Sequence, residues 1–121
     1  METILIIDDD VGSRSILRII LETQGYRVIE ATDGRDAESC LAQDPPRLVI
    51  TDVLMPEKDG FEVLLDLRRR CPNTRVIVVS GGGKVDSAQY LDLANQLGAD
   101  RTFSKPFKVE ELLRSIRELL G

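Results

Sequence analysis

The stretch Leu48-Val49-Ile50-Thr51-Asp52-Val53-Leu54-Met55-Pro56 decides how the rest of the chain is read. Leu48, Val49 and Ile50 form an aliphatic run with two β-branched residues, the mark of a short buried strand. Asp52 follows almost at once, and Pro56 with Asp59-Gly60 then ends the extended run and turns the chain. In an open sheet of alternating strands and helices, ligands and chemistry collect just beyond the carboxyl ends of the strands. A carboxylate there either caps the next loop or reacts. Taken alone, Asp52 fits the cap better, so the rest of the chain has to decide.

Working outward, Thr3 to Ile7 is a near-continuous aliphatic run, as in a strand covered on both faces, and it ends in Asp8, Asp9 and Asp10. From Gly12, Ile16, Ile19 and Ile20 recur at helical spacing, and Gly25 closes that helix. Tyr26 to Ala31 reads as a second strand. A helix is expected from about Gly34 to Gln43, stopped by Pro45-Pro46. Beyond the quoted stretch, a helix is expected over Phe61 to Leu67. Arg68 to Arg70 follow it as a solvated basic end that complements the helix dipole. Arg75 to Val79 is another buried strand, ending in Ser80 and Gly81-Gly82-Gly83. A helix over roughly Asp86 to Leu97, a short strand over Asp100 to Ser104, Lys105-Pro106-Phe107 and a final helix from Val109 to Leu120 complete the pattern.

Strand and helix thus alternate five times without a repeat or low-complexity segment. The expected fold is α/β: a flavodoxin-like, doubly wound sheet of five parallel strands in the order 2-1-3-4-5, with five helices on its two faces. Residues 1–121 are expected to form a single domain with no output domain in this chain.

Composition narrows the function. The 121 residues are 42% hydrophobic and 31% charged, which suits one globular domain with a real core. Only 4% are aromatic, so that core is aliphatic. A net charge of −5 argues against direct nucleic-acid binding. No apolar run reaches the roughly 20 residues of a membrane span, and the N-terminus lacks a secretory signal. Cys40 and Cys71 form no CxxC and fit two free thiols in a reducing cytoplasm. The chain contains no histidine, which removes Ser-His and Cys-His nucleophile pairs and most metal-hydrolase sites.

With parallel strands, one sheet edge receives Asp8 and Asp9 from the first strand, Asp52 from the third, Ser80 from the fourth and Lys105 from the fifth. Each has a dull explanation singly; four independent placements at one edge do not. Carboxylates about 5 Å apart repel by roughly 3 kcal/mol per pair at an effective dielectric of about 20. Protonation would relieve that repulsion, and so would a hard divalent cation. Oxygen-only ligands suit Mg²⁺ better than zinc or copper. Carboxylates, Mg²⁺, a lysine and a hydroxyl are the parts that phosphoryl transfer uses.

The runs IIDDD followed by Arg14, VITDVLMPEKDG, VIVVSGGG and GADRTFSKPF resemble the receiver domain of two-component response regulators, in the chemotaxis-type single-domain form. The resemblance spans essentially the whole chain. It implies Asp52 as phosphoacceptor, Lys105 as phosphoryl contact and Ser80 as switch hydroxyl. It also implies Mg²⁺ held by Asp8, Asp9, Asp52 and the backbone carbonyl of Leu54, with Asp10 left as a helix cap. The phosphoryl donor would be a histidine kinase or histidine phosphotransfer protein. The downstream partner would be a protein meeting the face built from the helix around Ala88 to Leu97, the last strand and the last helix. Such a domain is a phosphoacceptor that assists its own phosphorylation and dephosphorylation, rather than a multi-turnover enzyme. In the family, Pro106 is often preceded by a cis peptide. Two features depart from the family: Thr102 stands where an aromatic residue is usual, with Phe103 beside it, and the apolar Leu54 offers no help to an attacking water. The second implies slow loss of the phosphoryl group.

Four other readings are weighed against it. A non-phosphorylated interaction module on the same fold would not require Asp8, Asp9, Asp52, Ser80 and Lys105 together. A haloacid-dehalogenase-type phosphatase needs D-x-D-x-T or V, where Asp8-Asp9-Asp10-Val11-Gly12 supplies glycine, and it leaves Asp52 unexplained. A P-loop nucleotidase fails because Val85 follows Gly83-Lys84. A flavin carrier lacks a phosphate loop and aromatic residues to sandwich the ring.

Overall fold

The computed structural model describes residues 2–33, 35, 37, 45–52, 60–80 and 87–121. The aliphatic runs form five parallel strands: β1 (Thr3–Ile7), β2 (Arg27–Ala31), β3 (Leu48–Asp52), β4 (Arg75–Ser80) and β5 (Arg101–Ser104). Their spatial order is β2-β1-β3-β4-β5, the doubly wound order expected from the sequence. Four helices lie among the described residues: α1 (Val11–Thr23), α2 (Gly60–Arg70), α3 (Ser87–Gln96) and α4 (Val109–Leu120). The helix expected over residues 34–43 falls largely outside the described residues, as does Cys40, although Arg35 and Ala37 are helical.

Strand alternation sorts the core into two layers. Leu5, Ile7, Val49, Val76 and Val78 face Val63, Leu64 and Leu67 of α2 and Ala94 of α3. Ile4, Ile6, Leu48, Ile50, Ile77 and Val79 face Leu21 of α1 and Leu112 and Ile116 of α4. Every residue of β3 is buried, which is why Leu48 to Ile50 read as an unbroken apolar run rather than an alternating one.

The element ends follow local chemistry. Asp10 caps α1, accepting from the Gly12 amide at 3.2 Å and from the Ser13 hydroxyl at 2.7 Å, so the helix starts at Val11. At its other end Gly25 takes φ +93°, and the Tyr26 amide reaches back to the Leu21 carbonyl at 3.2 Å. Gly98 ends the α3 segment in the same way at φ +108°. A Cβ there would also approach the Arg68 side chain at 3.0 Å, so a larger residue would be strained and would have to push Arg68 aside. The basic run is the last turn of α2: Arg69 pairs with Asp66 at 2.9 Å, and Arg68 donates to the Thr74 carbonyl.

Leu67 is fully buried while Leu65, on the same helix, is 51% exposed. Leu67→Ala is expected to lose about 2–5 kcal/mol in urea denaturation, the cost of an unfilled core site. Leu65→Ala is expected to stay within about 0.5 kcal/mol.

Candidate functional site at the carboxyl edge of the sheet

The strand register brings the polar ends together. Ile7 pairs with Thr51, Asp52 with Val79, and Ser80 with Ser104. Asp8 continues the side of β1 that carries Ile4 and Ile6, and Asp52 the side of β3 that carries Leu48 and Ile50. Both carboxylates therefore fall on the α1/α4 side. Ser80 continues Val76 and Val78 and falls on the opposite side.

Lys105 leaves β5 with its amide bonded to the Ser80 carbonyl at 2.8 Å. Its ammonium reaches Asp8 Oδ2 and Asp52 Oδ2, both at 3.2 Å. The two acids are buried, at 6% and 9% exposure. Burial alone would pull the Lys105 ammonium down; the Asp52 and Asp8 charges outweigh it and hold it above the usual lysine range.

Asp8 is fixed at every polar atom. Its amide donates to the Ala31 carbonyl at 3.1 Å, and its Oδ1 accepts from the Asp10 amide at 2.9 Å. Its own carbonyl accepts from Arg14 Nη1 at 2.7 Å. The Asp52 carbonyl accepts from the buried Thr51 hydroxyl at 3.0 Å.

Asp9 is exposed beside this pair. Desolvation, followed by the negative charges of Asp8 and Asp52, pushes its carboxyl above the usual range. Among the described residues, no three histidine, cysteine or acidic side chains are grouped closely enough to hold a metal by themselves. The expected set of Asp8, Asp9, Asp52 and Leu54 is therefore not closed by these side chains. Asp8 and Asp52 share Lys105 instead, and Leu54 lies outside the described residues. The donors present are all oxygens, and two buried acids share the single Lys105 ammonium with Asp9 beside them. That chemistry fits a hard divalent cation.

Two contacts bear on the unusual Thr102. Register pairs Val78 with Thr102 and Val79 with Phe103, so Thr102 shares a side with Ser80 and Phe103 does not. Phe103 packs instead against Phe107, with ring centroids 5.7 Å apart, on the α1/α4 layer. Phe103 therefore cannot replace the missing aromatic beside the Ser80 hydroxyl. The Lys105–Pro106 peptide is cis.

An apolar groove of about 630 Å³ opens beside the site between α1 and α4. Ile16, Leu17, Ile20, Phe107 and Val109 line it, and Asp8 and Lys105 stand at its rim. Ile16 is 63% exposed there. Sequence reasoning did not single out Glu30, which joins Arg14 and Arg18 of α1 to β2. The available signal was an acid on the inward-facing side of β2, two residues after the buried Val28, opposite two arginines one helical turn apart.

The response regulator receiver domain model matches residues 4–117. The chain belongs to this family. This receiver domain is 33% identical over 119 residues to sporulation initiation phosphotransferase F of Bacillus subtilis, covering 98% of this chain and 94% of that protein. It is 40% identical over 117 residues to response regulator MprA of Mycolicibacterium vanbaalenii, covering 97% of this chain and 49% of the relative. It thus spans about half the length of several curated relatives it matches. Among solved structures it is similar to a receiver domain from Clostridium thermocellum, with TM-score 0.90, 25% identity, and 99% and 94% of the two chains covered. It is also similar to TrrA of Thermotoga maritima, solved in complex with Mg²⁺-BeF, with TM-score 0.85, 28% identity, and 98% and 99% covered. Receiver domains are signalling modules of two-component systems. Among the described residues, no helix is long and apolar enough to cross a membrane.

The raised Asp9 carboxyl yields a signed prediction. A carboxyl whose folded pKa is raised opposes folding at neutral pH, and that cost is relieved as pH falls through its folded value. In metal-free buffer, Asp9→Asn is expected to raise the melting temperature at pH 7. The gain is expected to vanish below the ordinary value of 3.8.

Proposed function

We propose that this receiver domain, read as one unit over residues 1–121, accepts a phosphoryl group on Asp52 from a phosphohistidine of a kinase or phosphotransfer protein in the cytoplasm. The observation that carries this reading is the Lys105 ammonium held at 3.2 Å from both Asp8 and Asp52. A cation so placed lowers the cost of bringing an anionic phosphoryl group to an anionic carboxylate.

An Asp52 carboxylate oxygen attacks phosphorus, the bond from phosphorus to the donor imidazole nitrogen breaks, and the electron pair leaves with the imidazole. Lys105 follows the charge from the carboxylate to the new phosphoryl oxygens. Asp8, Asp9, Asp52 and the Leu54 carbonyl would hold Mg²⁺, which when bound neutralises charge on those oxygens. The chemistry ends with a covalent mark on Asp52, so the domain is a phosphoacceptor rather than a turnover enzyme.

The new group adds about −1.5 to −2 charges at pH 7 and three acceptor oxygens. The Ser80 hydroxyl is the donor on the far side of the strand layer, and its engagement would draw in residues 81–83, which lie outside the described residues. The output face would be α3, β5 and α4, where a downstream protein partner reads the change. With Thr102 on the Ser80 side of β5, that change would travel through backbone and hydroxyl contacts rather than an aromatic rotation.

The groove between α1 and α4 ends at Lys105 and Asp8, so the histidine-bearing donor would lie along it. Incubation with phosphoramidate and Mg²⁺ is expected to add one phosphoryl group by intact mass, and none in Asp52→Asn. Ile16→Glu is expected to slow transfer from a protein donor roughly 10-fold or more, the loss of one buried apolar anchor, and to leave the phosphoramidate rate unchanged. Equal rates in Asp52→Asn and the parent chain would overturn the assignment.

A further inference from the structure

The chain devotes four charged groups to a place that the phosphoryl chemistry itself does not touch. Arg14 is nearly buried, its side chain 11% exposed, although it sits in the second turn of a surface helix. Its Nη1 donates to the Asp8 carbonyl at 2.7 Å, and its Nε donates to Glu30 Oε1 at 3.2 Å. Glu30 is occupied on its other oxygen by Arg18 Nη1 at 2.7 Å, and Arg18 pairs with Glu22 at 3.4 Å. The Arg18 hydrogen bond is the main reason that the Glu30 carboxyl lies below its usual range.

We propose that Arg14 is a positioning residue for the phosphoacceptor site, held by Glu30 so that it fixes the Asp8 backbone and thereby the aim of the Asp8 carboxylate at Lys105. The geometry is that of a fork used at both tines. One guanidinium joins the last carbonyl before the acidic turn to a rigid strand neighbour, and a lysine ammonium has no such planar pair of donors. Asp8 Oδ1 is taken by the Asp10 amide, which leaves Oδ2 for Lys105. A rotation of the Asp8–Asp9 peptide would displace the Asp10 amide that holds Oδ1 and so release the carboxylate from its aim at Lys105. Arg14 touches no reacting atom and acts only through Asp8. An arginine serving helix stability alone would gain nothing from being nearly buried and bonded to a strand-end carbonyl.

The proposal rests on the phosphoacceptor reading, and its test separates the two. Arg14→Gln, Arg14→Lys, Glu30→Gln and the Arg14→Gln/Glu30→Gln pair are compared with the parent chain in three measurements. These are the phosphoramidate rate at saturating Mg²⁺, the exchange rate of the Asp10 amide by NMR without metal, and the exchange of core amides in β3 and β4. Arg14→Gln is expected to slow phosphorylation roughly 10-fold, as loss of an outer partner commonly does at such sites. The Asp10 amide is expected to exchange about 10-fold faster, the equivalent of one charged hydrogen bond, with core amides unchanged. Glu30→Gln is expected to shift both readings the same way by less, Arg14→Lys to restore only part of the loss, and the double variant to match Arg14→Gln. Unchanged phosphorylation and Asp10 exchange in Arg14→Gln would overturn the proposal. So would a loss in which core amides open as much as Asp10, since that is a structural role only. If Arg14→Gln does not fold, Glu30→Gln decides by the same two criteria. A parent chain that takes no phosphoryl group defeats the functional reading, while Asp10 exchange still decides what Arg14 does.

Discussion

One ammonium between two carboxylates is the constraint on which this molecule turns. Lys105 reaches Asp8 and Asp52 at equal distance, and neither acid is exposed enough to be solvated in its stead. Removing the lysine from such a cluster leaves both acids buried and uncompensated, and breaking a buried pair in this way typically costs about 3–5 kcal/mol. That penalty ties three strand ends together: β1 through Asp8, β3 through Asp52 and β5 through Lys105. Charge balance remains incomplete, since two acids face one lysine and Asp9 adds a third. The protein thus stores a local excess of negative charge at a place where a cation is welcome and a second anion needs help to enter.

The strand pleat determines what each group at that edge can do. Asp8 and Asp52 lie on the α1/α4 side, next to the groove that reaches the surface. Ser80 lies on the other side, over α2 and α3. The Asp8–Asp52–Lys105 cluster and Ser80 therefore continue opposite sides of the sheet at one edge. Phe103 lies on the Asp52 side, packed against Phe107, and Thr102 on the Ser80 side. A one-residue slip of β5 would exchange these positions, so the 4-residue strand has to be held in register. The Asp100 carboxylate contributes to that, accepting from the Val76 amide at 2.8 Å just before β5 begins.

Much of this was legible in the residues alone because strands and helices announce themselves by period. The runs Thr3 to Ile7, Leu48 to Ile50 and Arg75 to Val79 have no reading but buried strands, and the polar residue closing each run could be placed at one sheet edge. Asp10 was left as a cap by the family resemblance, and it does cap α1. What periodicity could not supply was contact. That Lys105 spans Asp8 and Asp52 depends on register among three strands far apart in sequence. The bond from Arg14 to Glu30 joins residues 16 apart on different elements, and nothing local in either segment points to the other. Nor could periodicity supply the burial of neighbouring acids. Adjacent acids in sequence alternate across the pleat, so Asp8 turns inward while Asp9 is left exposed at the rim.

The most direct measurement of the central claim is a crystal structure of the chain grown with Mg²⁺ and beryllofluoride, a mimic of the phosphoryl group. The account requires beryllium bonded to an Asp52 oxygen, with the Lys105 ammonium shifted from the Asp52 carboxylate onto a fluoride. Density for the mimic elsewhere, or a Lys105 side chain turned to solvent while Asp52 is occupied, would contradict it.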